Sequence, residues 1–157
     1  MLIVKIKIFM VKIVILLILS IFIGNNSFAE AEYYLTLRSN KVNLRQGPSL
    51  SHPIKLVYKK KFLPVLVLDK SYNFRKITDH ENNSGWIHIS QLSKKKAALN
   101  NKDKSIIFRK PSEYSKPLAV VQKGRLCLIN KCKIDWCKIK TGQFVGWIKK
   151  ENLVGRL

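Results

Sequence analysis

The chain contains one sequence pattern twice, and this repeat constrains the fold more than any other feature. The first copy ends in Gly85-Trp86-Ile87 and the second in Gly146-Trp147-Ile148, and in each copy a Leu follows the Trp by six residues. An aromatic residue precedes each glycine, by eleven residues at Phe74 and by ten at Trp136. Similarity with a period of about sixty residues indicates two copies of one structural unit.

The similarity extends upstream of these motifs, to residues 43–49 in the first copy and 107–112 in the second. In this comparison Leu44 corresponds to Phe108, and each is followed by an arginine. Because side chains alternate between the two faces of a strand, we expect Leu44 and Phe108 to point into the core. Arg45 and Arg109 then point outward.

Both copies are rich in short β-branched segments that are separated by turn residues. The predicted strands are residues 55–58, 63–68, 73–77 and 85–89 in the first copy, and residues 119–121, 125–129, 136–139 and 145–149 in the second. After residue 29, no window of eleven or more residues has the periodicity of a helix. The predicted fold class is therefore all-β, with each copy forming a small, partly open barrel.

The repeated glycines and aromatic residues have structural roles in such a barrel. A tryptophan buries about 150 to 250 Å² of surface, which is a large share of so small a core, and a strand glycine allows close backbone approach. The predicted structural core therefore includes Leu44, Phe108, Gly85, Trp136, Gly146 and Trp147. Contact with a ligand is the alternative role for the tryptophans.

The amino terminus is predicted to be a secretory signal peptide that covers residues 1–29. Lysines precede an apolar run at residues 13–23, and small residues occupy the −3 and −1 positions of a cleavage site between Ala29 and Glu30. Cleavage after Ala31 is the alternative. The apolar run is shorter than the roughly 20 residues that span a bilayer. We therefore expect no transmembrane segment after cleavage and a periplasmic or secreted protein.

The chain is strongly basic, with 30 Lys and Arg residues, 9 Asp and Glu residues and a formal net charge of +21. Such a protein is attracted to anionic surfaces. Export argues against nucleic acid as a partner. The high content of Lys, Ile and Asn along the whole chain offers an alternative, in which the charge reflects an AT-rich genome rather than a function.

The region between the copies, residues 94–104, is rich in Lys and Asn and has few side chains that could pack in a core. It is predicted to be a linker or a short exposed strand. The predicted domain organisation is a first barrel at residues 33–93, the linker at 94–104 and a second barrel at 105–157.

The sequence contains no recognisable catalytic or metal-binding pattern. His52, His80 and His88 all lie in the first copy, whereas all three cysteines lie in the second. Their spacing does not match that of a zinc site. We expect no enzymatic activity, no cofactor and no metal.

Three cysteines in an exported chain allow one disulfide bond and one free thiol. Cys132 and Cys137 flank a turn, where a bond would join the two strands of a hairpin in a barrel too small to be very stable alone. Cys127 and Cys137 are the alternative pair, since they could face each other across adjacent strands. Cys127 alternates with two leucines and is also consistent with a small buried residue.

In these motifs the sequence resembles the bacterial SH3 (Src-homology 3-like) domains, in particular the exported alphaproteobacterial type with two tandem copies. The matching residues are 42–49, 57–65, 85–88 and 92–93 in the first copy and Cys132, 135–139, 146–148 and Leu153 in the second. The sequence departs from the family pattern at Leu56 and Phe74, where the family usually has Trp, and at Asn82, where it often has Gly. The resemblance implies two SH3-like barrels in the periplasm, a Cys132–Cys137 disulfide and a link to cell-wall binding.

Two functions from different classes fit these features. The first is a non-enzymatic module that binds peptidoglycan or cell-wall peptides in a groove between barrel loops, with Tyr58, Tyr72, Phe74 and Trp86 as candidate contacts. The second is a basic protein that docks to another envelope protein through a sheet edge or a basic face. We rank wall binding first.

Overall fold

The repeat in the sequence is also a repeat in the structure. The computed structural model describes residues 31–157, which form one compact unit with two seven-stranded antiparallel sheets. The predicted signal peptide, including Ala29 and Glu30 at its cleavage site, lies outside the described residues. Within residues 31–157 the regular structure consists of strands and two short 3₁₀ turns, as the all-β prediction requires.

The first sheet is formed by the amino-terminal half of the described chain. Its strands are β1 (Tyr33–Leu37), β2 (Val42–Arg45), β3 (Ile54–Tyr58), β4 (Pro64–Ser71), β5 (Phe74–Thr78), β6 (Ser84–His88) and β7 (Leu92–Ser93). They are ordered β3-β2-β6-β5-β4-β1-β7. A 3₁₀ turn at Ile89–Gln91 joins the last two strands.

The second sheet has the same topology. Its strands are β8 (Ala97–Asn100), β9 (Lys104–Phe108), β10 (Pro117–Gln122), β11 (Leu126–Cys132), β12 (Trp136–Thr141), β13 (Phe144–Lys149) and β14 (Leu153–Arg156). They are ordered β10-β9-β13-β12-β11-β8-β14. Each strand of the second sheet therefore corresponds to the strand of the first sheet whose number is lower by seven. Each of the eight predicted strands overlaps an observed strand.

The register of the strands shows that the alignment of the two copies used above is shifted by one residue in this region. Arg45 on β2 lies opposite Trp86, and Phe108 on β9 lies opposite Trp147, so Phe108 corresponds to Arg45 and not to Leu44. The residue that corresponds to Leu44 is Ile107, and both are fully buried.

The prediction that Phe108 points into the core is therefore wrong. Phe108 is half-buried on the other face of β9. Its ring packs edge-on against Trp136, with the ring centroids 5.7 Å apart. The Pro-Ser pairs at residues 48–49 and 111–112 give the correct alignment, because they start the same turn in both barrels. The two arginines that follow Leu44 and Phe108 are not equivalent.

The repeated glycines sit where two strands approach most closely. A Cβ atom on Gly85 would lie 2.6 Å from the carbonyl oxygen of Arg45, and one on Gly146 would lie 2.6 Å from that of Phe108. Both contacts are with backbone, which cannot move aside without displacing a strand. Glycine is therefore required at both positions by space.

The tryptophans that follow these glycines do not point into the barrel interiors. Gly146 and Ile148 face inward, so alternation places Trp147 on the opposite face of β13. Trp147 is still only 8% exposed, and the ammonium groups of Lys131 and Lys133 lie 6.0 and 5.7 Å from its ring centroid. Trp86 is half-buried on the corresponding face of the first barrel. Trp147 is thus buried as predicted, but it packs outside the main hydrophobic cluster of the second barrel.

The segment predicted as a linker contains a fully buried strand. All four residues of β8 are buried, with Ala98 in the hydrophobic core of the second barrel and Leu99 in that of the first. The expectation that few residues here could pack in a core is therefore wrong. The apolar run is too short to show the periodicity of a strand, and the neighbouring side chains of Ala98 and Leu99 pack in the cores of different barrels.

Asn100, at the end of β8, is buried because its amide has hydrogen-bond partners. Its Nδ2 donates to the carbonyl oxygens of Lys102 and Val121, at 2.7 and 3.0 Å, and its Oδ1 accepts from the Ser105 hydroxyl at 2.7 Å. A buried amide with these partners avoids the desolvation penalty of an unsatisfied polar group. Asn100 thus anchors the start of the second barrel.

The last strand also touches both barrels. Gly155 on β14 has a φ of 146°, and a Cβ atom there would lie 2.6 Å from the carbonyl oxygen of Ala97 and 3.0 Å from Pro64 of the first barrel. The next residue, Arg156, donates from Nη1 to the carbonyl oxygen of Tyr34 at 3.0 Å. The two barrels are therefore packed together at β14.

Tyr58 is a structural residue rather than an exposed contact. It is 7% exposed, and its hydroxyl donates to Asp79 Oδ2 at 2.9 Å. Burial, together with the adjacent carboxylate, raises the pKa of Tyr58 above its ordinary value. Burial also acts to raise the pKa of Asp79, but hydrogen bonds from Asn83, Tyr58 and Glu81 outweigh it and leave this pKa below its ordinary value.

We predict that Asp79 stabilises the first barrel in a pH-dependent way. A folded-state pKa below the unfolded value of 3.8 means that the stabilisation is present at neutral pH and is lost as the pH falls through the folded-state pKa. Asp79→Asn should lower the free energy of unfolding at pH 7 by about 1 to 3 kcal/mol. The difference from the parent chain should shrink at pH 3.

Urea unfolding followed by tryptophan fluorescence at both pH values measures this difference. Asp69→Asn is the matched control, because Asp69 is exposed, and it should change the free energy of unfolding by less than about 0.5 kcal/mol. An effect of Asp79→Asn that is equal at pH 3 and pH 7 would contradict the assignment.

Candidate functional site

An open groove of about 780 Å³ lies on the second barrel. One wall is the loop between β9 and β10. The other is the turn between β11 and β12, together with the end of β13 and the 3₁₀ turn that follows it, Lys150–Asn152. The lining residues are 111–114, 134–136, 149–151 and 157. Concave sites with a few convergent polar groups are the usual form of a ligand site.

Trp136 is the aromatic centre of the groove. It is the first residue of β12 and is half-buried, so part of its ring is accessible to a ligand. The ring of Phe108 meets it edge-on, with an interplanar angle of 85°, and restricts its orientation. Trp136 was expected in the core, but it lies on the face of β12 that carries the groove.

Two large apolar side chains flank this tryptophan from opposite walls. Tyr114 on the β9–β10 loop is 101% exposed relative to its reference value, and Ile134 on the β11–β12 turn is 88% exposed. Single exposed apolar residues are common on protein surfaces. Two of them beside a half-buried tryptophan form an apolar patch that a ligand can cover.

A disulfide bond between Cys132 and Cys137 closes the turn that carries Ile134 and Trp136. The two cysteines lie opposite each other in the register of β11 and β12, so the pairing implied by the resemblance is confirmed. Cys127 is free and buried, and the alternative pairing with Cys137 is excluded. The bond makes this groove wall rigid.

Backbone hydrogen bonds fix the same turn to the rest of the barrel. The Lys133 amide donates to the Trp136 carbonyl and the Lys150 amide donates to the Asp135 carbonyl, both at 2.8 Å. The turn is therefore held by its own strands and by the segment after β13. Such a wall needs little rearrangement to bind a ligand.

The opposite wall is also ordered by local hydrogen bonds. The Lys110 amide donates to Ser115 Oγ at 2.9 Å, and the Tyr114 amide donates to Ser112 Oγ at 3.3 Å. Serine side chains that bond nearby amides stabilise turns of this kind. Tyr114 is thus presented by a structured loop.

Charged groups of both signs surround the groove. Lys149 forms an ion pair with Glu113 that links the two walls, and a hydrogen bond from the ammonium to this carboxylate raises the pKa of Lys149. Lys102 and Glu151 form a second ion pair at 3.2 Å. Exposed pairs like these stabilise a fold only weakly, so they can exchange partners with a ligand.

The sequence profile of the bacterial SH3 domain matches residues 38–94 and again residues 101–155. The chain belongs to the bacterial SH3 domain family. Its all-β fold of two tandem domains is the one that the sequence repeat predicted. No curated protein matches the sequence.

Several solved structures share features of this SH3 pair at low identity. NlpC2 from Trichomonas vaginalis has a TM-score of 0.36 and 16% identity, over 83% of this chain and 50% of that one. NlpC1 from the same organism has a TM-score of 0.34 and 16% identity, over 83% of this chain and 48% of that one. An NlpC/P60 family protein from Bacillus cereus has a TM-score of 0.35 and 14% identity, over 77% of this chain and 55% of that one. The chain spans about half the length of these proteins, and similarity at this level transfers no activity to it.

The position equivalent to Trp136 in the first SH3 domain is Phe74. Each is the first residue of its strand, and they lie opposite His88 and Lys149, respectively. Phe74 is only 6% exposed, and the His88 ring packs edge-on against it at 5.1 Å. A smaller ring beneath a histidine leaves no accessible aromatic surface here.

The four contacts predicted on the first SH3 domain therefore do not form one site. Tyr58 and Phe74 are buried, whereas Tyr72 is 97% exposed at the tip of the hairpin between β4 and β5. Trp86 is half-buried on a different part of the sheet, opposite Lys76. The structure gives no groove that these four side chains share.

Sequence reasoning missed Tyr114 and Ile134, because loop residues carry no periodic signal. One signal could have identified the groove. The family usually has Trp at the position of Phe74, and the second copy keeps a Trp at the equivalent position, Trp136. Tryptophan is present at this position only in the second copy, and this difference could have directed attention to the second domain.

Within residues 31–157, no group of three or more His, Cys, Asp or Glu side chains is placed to hold a metal ion. In the same part of the chain, no helix has the length and apolar character needed to cross a membrane.

We predict that the native protein has no reactive thiol. Cys127 is fully buried, and burial raises the pKa of its thiol to about 11, so both access and ionisation at neutral pH are low. Iodoacetamide should label no cysteine in the native chain. It should label one after unfolding without reductant and three after unfolding with reductant.

Mass spectrometry of the labelled peptides checks this order. The single label in the unreduced, unfolded chain should lie on Cys127, because Cys132 and Cys137 remain bonded. A label on Cys132 in that sample would show that the disulfide pairs other residues.

Proposed function

We propose that this SH3 pair is a non-enzymatic binding module of the cell envelope, and that it holds cell-wall peptides in the groove of its second domain. The observation that supports the proposal is the placement of Trp136 between two ordered walls, with Tyr114 and Ile134 exposed on either side. The family to which the chain belongs is consistent with a binding domain.

The physical basis of this recognition is an aromatic anchor in a preformed groove. Tryptophan and tyrosine contribute large contact areas and lose little side-chain entropy, so they often dominate binding energy. The Cys132–Cys137 bond and the loop hydrogen bonds reduce the ordering that binding would otherwise require. A short, extended peptide fits the open shape of the groove.

The charges around the groove suit a peptide with both carboxylate and amino groups. Lys149 and Lys150 can pair with carboxylates, and Asp135 and Glu151 can pair with amines. After removal of residues 1–29, which contain three lysines and no acidic residue, the net charge is 27 − 9 = +18, and it adds a non-specific attraction toward anionic wall polymers. Specificity then depends on the groove, and the approach to the wall depends on the charge.

The proposal includes export to the periplasm or the cell exterior. It is supported by the order of basic, apolar and small residues at positions 1–29. A structural disulfide also favours an oxidising compartment.

The export prediction is tested by amino-terminal sequencing of the protein from a cell-envelope or secreted fraction. The sequence should begin at Glu30, or at Glu32 if cleavage follows Ala31. Recovery of the uncleaved chain from the cytosol would refute export.

A second candidate function is docking to another envelope protein through a sheet edge. β10 lies at the end of the strand order of the second sheet, and Val120 on this strand is 63% exposed. An edge strand with an exposed apolar residue can pair with a strand of a partner. This candidate needs no specificity for the wall.

We predict that wall binding depends on the groove of the second domain. Tyr114→Ala and Trp136→Ala should each weaken binding to purified sacculi by tenfold or more in 0.5 M salt, as is common for aromatic anchors. Tyr72→Ala is the matched control, because it removes an equally exposed tyrosine from the first domain, and it should change binding by less than about twofold.

Salt separates the groove from the non-specific charge. The screening length falls from about 10 Å at 0.1 M to about 3 Å at 1 M, so purely electrostatic binding weakens steeply while short-range contacts persist. If all binding disappears in 0.5 M salt, and substitution of Lys59, Lys60 and Lys61 removes it equally, the groove proposal fails. Docking through charge or a sheet edge would then be favoured.

A further inference from the structure

A second cavity lies away from the groove, beside the junction of the two barrels. Its volume is about 850 Å³, and its wall contains Tyr33 and four basic side chains, those of Arg38, Arg75, Lys94 and Arg156. Among the described residues that line it, none is acidic. We name it the junction pocket. Arg38 and Arg75 come from the first barrel, Lys94 comes from the segment that follows it, and Arg156 comes from the last strand of the second barrel.

The geometry of β7 places two of the arginines side by side. Thr36 Oγ1 donates to the carbonyl oxygens of Ser93 and Lys95, at 3.2 and 3.0 Å, so these carbonyls face β1. The alternate carbonyls, those of Leu92 on β7 and of Lys94 directly after this strand, face away from β1.

The two exposed carbonyls each accept a hydrogen bond from a guanidinium. Arg38 Nε donates to the Leu92 carbonyl at 3.0 Å, and Arg156 Nε donates to the Lys94 carbonyl at 2.9 Å. Carbonyls two residues apart on a strand are about 6 to 7 Å from each other. The two guanidinium groups therefore lie next to each other on this edge, at a spacing that one ligand can bridge.

Arg75 faces the same cavity from the other side. It alternates with Ile77 on β5, so it shares the inward face of the sheet at the end of the barrel. Its Nη1 donates to the carbonyls of Tyr72 and Phe74, at 3.0 and 2.8 Å. Its Nε is buried and has no hydrogen-bond partner. Arg75 is thus held at the cavity wall by backbone carbonyls and contributes a third guanidinium to it.

The basic side chains of the junction pocket are oriented by backbone rather than neutralised by acids. Within residues 31–157, the ion pairs involve other residues, and none includes Arg38, Arg75, Lys94 or Arg156. Three arginines and one lysine thus line the same pocket, with no carboxylate among the described residues of its wall. Placing like charges together is unfavourable unless an anion joins them.

We propose that the junction pocket binds a phosphate-type oxyanion. Planar guanidinium groups present paired N–H donors that match the oxygens of a phosphate, and they remain charged at any physiological pH. Four positive charges exceed what a single carboxylate neutralises, which favours the more highly charged anion. The site is separate from the peptide groove and needs both SH3 domains, because Arg156 belongs to the second.

The phosphate can come from a membrane lipid headgroup or from a soluble phosphate compound. Both carry the same oxyanion, so the structure assigns the chemistry and an experiment distinguishes the source. The full chain is titrated with inorganic pyrophosphate by calorimetry in 0.15 M salt. In a second arm it is mixed with vesicles of phosphatidylcholine alone or with phosphatidylglycerol added.

Arg156→Gln should weaken pyrophosphate binding by tenfold or more. Because Arg156 also bonds the Tyr34 carbonyl, Lys94→Gln is a second variant. Lys94 is exposed, and this change should weaken binding about threefold to tenfold without affecting the fold. Arg109→Gln is the matched control, since Arg109 is exposed and lies outside the pocket, and its effect should stay below about twofold.

The outcomes separate the proposal from simple charge attraction. Loss of pyrophosphate binding in the two pocket variants but not in Arg109→Gln supports the site. Equal loss in all three variants, or no binding by the parent chain, overturns it. If binding to phosphatidylglycerol vesicles exceeds binding to phosphatidylcholine and also depends on Lys94 and Arg156, the ligand is a lipid headgroup. If only pyrophosphate binding depends on them, the ligand is a soluble phosphate.

Discussion

The rest of the structure depends on the packing of β8, whose neighbouring residues belong to different hydrophobic cores. Ala98 lies in the core of the second barrel and Leu99 in that of the first. Because one buried strand serves both cores, neither barrel can rotate freely against the other. The positions of the groove on the second domain and of the junction pocket are thereby fixed relative to each other, and the two small domains form one compact unit.

The two SH3 domains differ in the surroundings of their equivalent aromatic residues. In the first, Phe74 lies beneath His88, and Tyr58 is committed to a buried hydrogen bond with Asp79. In the second, the equivalent aromatic residue is Trp136, and a disulfide holds the turn beside it. The same fold thus has a buried aromatic residue in the first domain and a partly accessible one in the second. The two domains differ here in the ring, Phe74 or Trp136, and in the Cys132–Cys137 disulfide.

The fold was predictable from the sequence, but the site was only partly so. The doubled Gly-Trp motif specifies the strands and the close approach at Gly85 and Gly146, because backbone geometry repeats with the sequence. The frame error at Phe108 arose because two arginines looked equivalent, although the Pro-Ser turns gave the correct alignment. The region of β8 was predicted to be a linker or a short exposed strand, and its burial was missed because its neighbouring apolar side chains pack in different cores. The groove could not be predicted, because loop side chains such as Tyr114 have no period.

The hydrogen bond between Arg156 and Tyr34 has a consequence for the order of folding. It joins residues that are 122 positions apart, so the entropy of closing so long a loop opposes its early formation. Hairpins within each barrel form from much nearer residues and can assemble first. The contact therefore forms only when the first strand and the last strand of the described chain are both in place. Loss of the Arg156–Tyr34 contact would therefore report on separation of the pair rather than on unfolding of either barrel.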